Sequence, residues 1–163
     1  MKANFKISMR RIVGILSGFL LLLALPHIAS AKSLKSQIIG GWTLVEGSEI
    51  LPDGKKVVPW AKGSLIIDRD GQISFFVLAK DRPKTDSVRT PAAPMVAYYG
   101  TYKVDQAGKK FSIKIEGASS PAFEGAVREQ TVTFKDDTMT TTGSKVQTPQ
   151  GAITPVNVWK KAK

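Results

Sequence analysis

From Gly41 onward, apolar and polar residues alternate in short runs separated by turn residues. In "GWTLVEGSE" the alternation sets Trp42 and Leu44 on one side of a strand. "LPDGKKV" follows, and its Pro-Asp-Gly marks a turn. "GSLIIDRDGQISFFVLA" reads as a hairpin in which 65–68 and 72–79 flank Arg69-Asp70-Gly71, and Asp-Gly is a strong turn signal. "MVAYYGTYKVD" puts Tyr98, Gly100, Tyr102 and Val104 on one face. After "QAG", Phe111, Ile113 and Ile115 alternate with Ser112, Lys114 and Glu116. "REQTVTFKDDTMTTTG" is another hairpin, with Val132 and Phe134 before an Asp136-Asp137 turn and Met139 after it. "AITPVNVWKK" closes the chain, and its Pro155 requires an edge, a strand start or a bulge.

These runs predict an all-β chain with eight strands. Closed into a single antiparallel eight-stranded barrel, they lose the two unpaired edges of an open sheet. They also enclose room for side chains or one small ligand. "KSLKSQIIG" predicts a short helical turn ahead of the first strand, ended by Gly40 and Gly41. Two stretches break the meander. Residues 80–94, "KDRPKTDSVRTPAAP", are long for a hairpin loop and mark a lid, a binding element or a connector. "GASSPAFEGA" carries a buriable Phe123 and fits a turn of helix.

The first residues follow another pattern. "MKANFKISMRR" has four basic residues and no acidic one, and "IVGILSGFLLLLAL" is an apolar run of fourteen. Ala29-Ser30-Ala31 then has the small-x-small form that a signal peptidase reads. A membrane helix needs about 20 apolar residues. The expectation is therefore a signal peptide over 1–31, cleaved after Ala31, and one domain over 32–163. The mature chain would be periplasmic or secreted, with no stable membrane insertion.

Cleavage changes the available chemistry. The mature chain of 132 residues keeps 20 basic residues against 13 acidic ones, a net charge of +7. Its lysines are scattered, not clustered with aromatics, which argues against nucleic acid as a partner. The single histidine, His27, leaves with the leader, and the chain has no cysteine. That excludes Ser-His-Asp and Cys-His nucleophilic sites, ordinary zinc sites, disulfides and an acyl anchor on cysteine. Neither a cofactor nor a metal is expected.

Five ordered segments resemble the bacterial lipocalin-like domain family, the short calycin-type β-barrels. "IGGWTLV" is similar to that family's opening Gly-x-Trp strand. "KGSLIIDRDGQISFFVLAKDRPK" resembles its small-residue strand, Asp-Gly turn, apolar strand and Arg-Pro. "AYYGTYKVD" carries its aromatic-Gly-Thr-Tyr run on Tyr99, Gly100, Thr101 and Tyr102. "IEGASSPAFEG" matches its Glu-Gly-small-x-Pro segment, and "VWKK" its closing strand. Two departures stand out. Many lipocalins stack an arginine from the last strand on the first-strand tryptophan, whereas Lys160 and Lys161 occupy that region here, so the contact would be lysine on aromatic. Some family members have a histidine where this chain has Lys114 and Ile115, so chemistry that needs that imidazole does not carry over.

In a barrel with one closed end and one mouth, function belongs to the cavity and the loops around it. The ligand-binding candidates begin with Tyr98 and Tyr102, whose phenols pack inward and still hydrogen-bond. Phe75, Val77, Phe111, Ile113 and Phe134 line the same space. For all of them, plain core packing is the alternative role. Arg82, before Pro83 at the base of the long loop, either offers a planar fork to a carboxylate or phosphate or pairs with Asp81, Asp86 or Glu116. Arg128 has the same two roles. Its strand also carries Gln130, Val132 and Phe134 on the same face, and a pair with Glu116 would neutralise both charges. Trp60 either covers the mouth or shields the first hairpin.

The resemblance implies a noncatalytic exported module whose partner is a small, mostly apolar molecule, with or without an anionic group. Two alternatives stand beside it. One is a small-barrel isomerase or cyclase using tyrosine, glutamate and arginine without metal, with Glu116 as base and Arg82 as electrostatic stabiliser. The other is an envelope interaction protein with a filled barrel. Nothing in the pattern specifies an oligomeric state.

Overall fold

Each alternating run becomes a strand paired antiparallel with its neighbour in a computed structural model that describes residues 32–82, 94–149 and 151–163. The expected signal peptide and most of the 80–94 loop lie outside the described residues. The strands are β1 (Gly40–Ile50), β2 (Lys56–Ile67), β3 (Gln72–Ala79), β4 (Met95–Asp105), β5 (Lys110–Ala118), β6 (Val127–Lys135), β7 (Thr138–Gly143), β8 (Val146–Thr148) and β9 (Gly151–Lys161). They follow the order β1-β2-β3-β4-β5-β6-β7-β9, and β1 pairs back onto β9. Closure runs through Trp42 opposite Lys161 and Leu44 opposite Trp159. Eight strands thus close the barrel, and the short β8 is added to β9.

The turns are built as their residues dictate. Asp68 Oδ1 accepts the backbone N–H groups of Asp70 at 2.9 Å and Gln72 at 2.7 Å across the Asp-Gly turn. Asp136 takes a left-handed φ of 53° between β6 and β7, a conformation Asp tolerates better than most residues. The two prolines within barrel strands sit where no ladder donor is needed. Pro59 occupies the register shift of β2 against β1 between Gly47 and Glu49. Pro155 lies where β9 exchanges partners, between Ile153 opposite Val146 of β8 and Val156 opposite Thr142 of β7. β2 is longer than the sequence pattern predicts, starting at Lys56 instead of near Leu65.

One end of the barrel is closed by the expected helical turn, α1 (Leu34–Ile38). Ser33 caps it, its hydroxyl accepting the Ser36 N–H at 3.2 Å. Leu34 and Ile38 are buried under the barrel, and the Leu34 N–H donates to Gln106 Oε1 at 2.6 Å. Trp42 plugs this end, its indole N–H donating to the Ile38 carbonyl at 2.7 Å. The Lys161 ammonium sits 4.3 Å from the Trp42 ring centroid and donates to the Ile39 carbonyl. This is the lysine–aromatic contact the departure from arginine implied. Gly40 is required beside it. Its φ is +126°, and a Cβ there would lie 3.0 Å from Lys161 Nζ.

Above the plug the core is apolar. Ile67, Ile73, Phe111, Ile113, Ile115, Val132, Met139 and Trp159 are all buried. Each large side chain contributes about 1.5–3 kcal/mol of hydrophobic stabilisation. Trp159 still satisfies its indole N–H, donating to Thr141 Oγ1 at 3.0 Å. No helix among the described residues is long and apolar enough to cross a membrane.

Candidate functional site

Packing fills the lower barrel and leaves space at the end opposite α1. Phe75 on β3 and Tyr98 on β4 are cross-strand partners, and their rings stack with centroids 4.6 Å apart and planes 12° from parallel. Phe75 also meets Trp159 edge-on at 5.7 Å. Beneath these rings only about 10 Å³ remains empty, bordered by Leu65, Phe111, Ile113 and Thr141 among others. Above them lies a cavity of about 230 Å³.

The cavity walls come from seven strands and one turn. Trp60, Val77 and Val96 supply apolar surface on one side. Val146, Ile153 and Pro155 supply it on the other, and Phe123 stands at the rim from a 3₁₀ turn at Pro121–Phe123. The polar lining is sparse: Glu49, Arg128, Gln130, Thr148 and Asn157. This is the usual recipe of a small-molecule site, an apolar pocket with a few placed polar groups. Its volume lies below the ~300–1,000 Å³ common for drug-sized ligands, so it suits a molecule of one ring or a short chain.

Arg128 dominates the electrostatics. Its guanidinium carbon lies 5.4 Å from the Phe123 ring centroid. Its Nε is buried, with no hydrogen-bond partner among the described residues. A buried donor left unmade costs about 1–3 kcal/mol, more for a charged group. Burial pushes the Tyr98 phenol up to about 12, while the Arg128 charge pulls it the other way. Tyr98 is thus a neutral donor throughout the physiological range. Glu49, three strands away around the barrel, accepts the Trp60 indole N–H at 3.1 Å.

The residues singled out from sequence divide by height along the barrel axis. Phe75, Val77, Tyr98 and Arg128 line the cavity together. Phe111 and Ile113 lie below them in the packed core. Tyr102 and Phe134 do not line the cavity. The Tyr102 hydroxyl donates to the Asp68 carbonyl at 2.6 Å, and Phe134 packs on Trp42 at 6.5 Å, both at the plugged end. Arg82 is exposed and borders no part of the cavity. Glu116 is exposed on the outer face of β5, while Arg128 on neighbouring β6 faces inward. The conjectured Glu116–Arg128 pair is therefore absent, because the two side chains occupy opposite faces of the sheet. The same placement separates Glu116 from the cavity in the isomerase scheme.

Several lining residues carried little sequence signal. Glu49 reaches the lumen because β1 carries one extra residue against β9 between Leu44 and Glu46, which breaks the period of two. Val146 and Thr148 belong to the three-residue β8, too short to register as an alternating run. Asn157 was legible, since it shares the inward parity of Trp159. A second depression, about 380 Å³, lies outside the barrel over Ser74, Phe76, Ala97 and Tyr99 and has no charged group in its lining. Among the described residues no three Asp, Glu, His or Cys side chains converge as a metal site would require.

Comparison with known proteins adds one broad match. A family model described as a lipocalin-like domain covers residues 39–162. Among solved structures, a lipocalin-like protein from Bacteroides uniformis ATCC 8492 is 12% identical over 77% of this chain and 99% of that chain, with a TM-score of 0.44. An uncharacterized protein from Bacteroides eggerthii DSM 20697 is 18% identical over 76% of this chain and 98% of that one, with a TM-score of 0.38. No curated protein matches the sequence.

Proposed function

The chain belongs to the lipocalin-like domain family, and from that premise we propose that its mature form is exported and binds a small, mostly apolar molecule carrying an anionic group. The ligand sits in the mouth cavity, with its apolar body on the Phe75–Tyr98 stack and its anion on Arg128. One observation carries this reading: the buried Arg128 Nε has no hydrogen-bond partner among the described residues and borders a mostly apolar cavity. An anion would complete that donor with a charge-assisted hydrogen bond, roughly twice as strong as a neutral one. The protonated Tyr98 phenol adds a neutral donor near the same charge.

Native mass spectrometry on protein purified from its own envelope tests the proposal. The expected spectrum shows a retained acidic small molecule that is absent from the Arg128→Gln variant, and a mature N-terminus at Lys32. A protein that emerges bare and takes up no single-ring carboxylate on titration contradicts it.

A further inference from the structure

Two opposite charges border the cavity without meeting. Glu49 on β1 and Arg128 on β6 are separated by β9 and β7 around the barrel, so they face one another across the lumen. Among the described residues neither forms an ion pair. Each is held back by its own wall. Glu49 is tied to Trp60 through one carboxylate oxygen, and Arg128 lies over Phe123. The space between them is floored by aromatic rings and lined with valine, isoleucine and proline.

A purely anionic ligand satisfies only half of this arrangement. It completes Arg128 but brings a second negative charge into a small, mostly apolar cavity that the half-buried Glu49 carboxylate already borders. Buried charges are tolerated when each is paired and hydrogen-bonded, and are costly otherwise. Resting on the anion-binding reading above, we propose that the natural ligand is bipolar, a short apolar body with an anion at one end for Arg128 and a cationic group at the other for Glu49. Such a molecule neutralises both walls at once. It also fixes its own orientation, since reversal sets like charges together. The remaining oxygen of Glu49 receives the cation, and Trp60 provides an aromatic face beside it.

Four para-substituted rings of nearly equal size separate the contributions: p-xylene, 4-methylbenzoate, 4-methylbenzylamine and 4-(aminomethyl)benzoate. Isothermal titration into the mature wild-type protein is expected to rank 4-(aminomethyl)benzoate first, about tenfold tighter than 4-methylbenzoate, the factor one further charge-assisted hydrogen bond supplies. Glu49→Gln keeps an oxygen for the Trp60 indole and should bring that ratio to about one. Arg128→Gln should abolish the preference of 4-methylbenzoate over p-xylene. If 4-methylbenzoate binds as tightly as the bipolar ring, or Glu49→Gln leaves the ratio unchanged, the bipolar assignment is overturned while anion binding stands. Failure of all four to bind overturns both.

Discussion

Gly100→Ala and Gly117→Ala add the same methyl group to adjacent strands, yet their expected costs differ sharply. Gly100 on β4 faces Ile115 on β5 immediately after a register shift from the Tyr99–Gly117 pair. A Cβ at Gly100 would fall 2.0 Å from the Lys114 carbonyl oxygen, 3.0 Å from its carbon and 3.1 Å from the Glu116 nitrogen. All three atoms belong to backbone, so no rotamer change relieves the clash and the strands must separate. Losing two ladder bonds costs about 1 kcal/mol each, and overpacking adds about 1–3 kcal/mol. Reduced entropy of the unfolded chain returns about 0.4–1 kcal/mol. The expected net loss is about 3 kcal/mol, or roughly 10 °C in Tm for a domain of this size.

A Cβ at Gly117 meets the Tyr99 ring instead, at 2.5 Å from Cε1. Tyr99 is exposed, so its ring swings outward at little cost. Gly117→Ala should therefore stay within about 0.5 kcal/mol of wild type. Urea unfolding followed by tryptophan fluorescence reads both, with unchanged m-values confirming that stability alone has moved. The comparison bears on function too, because the bulge sets Tyr98 opposite Ala118 at the cavity floor. A Gly100→Ala protein as stable as the Gly117→Ala protein would refute this β4–β5 register.

Arg128→Met should leave stability unchanged or raise it by up to about 1 kcal/mol, since it removes a buried unmade donor and keeps the aliphatic body. A thermal midpoint well below wild type would mark Arg128 as structural instead. For Tyr98, burial raises the folded-state pKa from its ordinary 10.0 to about 12. The folded state then binds more protons than the unfolded one, so stability falls as pH rises from about 10 through about 12. Burial, with Asp68 and Asp70, also raises the Tyr102 phenol, so near-ultraviolet phenolate absorbance should show two late-titrating tyrosines, of which Tyr98→Phe removes one, and an unaltered alkaline titration in that variant would refute the assignment. Lys161→Met should cost about 1–2 kcal/mol by deleting the contact with Trp42 and the bond to Ile39, and equal urea midpoints for variant and wild type would contradict it.

Period-two alternation tells which side of the sheet a residue faces but not how high along the barrel axis it lies. Phe75, Tyr98, Tyr102 and Phe134 all face the lumen by that rule, and all four do. Yet Tyr102 and Phe134 lie by the plug while Phe75 and Tyr98 reach the cavity, because height is set by register and strand stagger, which are nonlocal. Turns were legible for the opposite reason: Asp68, Asp70 and Gly71 determine their own geometry locally. Glu49 was hidden because the β1 bulge against β9 between Leu44 and Glu46 changes parity with no glycine in αL or proline at it. The Glu116–Arg128 pairing failed on the same ground as the successes, since even and odd positions of β5 face opposite ways.

The central claim is that the mouth cavity, through Arg128, takes an apolar anion. The most direct test is an NMR titration of the mature protein with 4-methylbenzoate, observing the Arg128 Nε–H and the backbone amides. The account predicts saturable shifts at Arg128 and around Phe75, Val77 and Tyr98, with the plugged end at Trp42 and Tyr102 unmoved. Shifts centred on the outer face at Phe76 and Tyr99, or a silent Arg128 Nε–H at saturation, would contradict it.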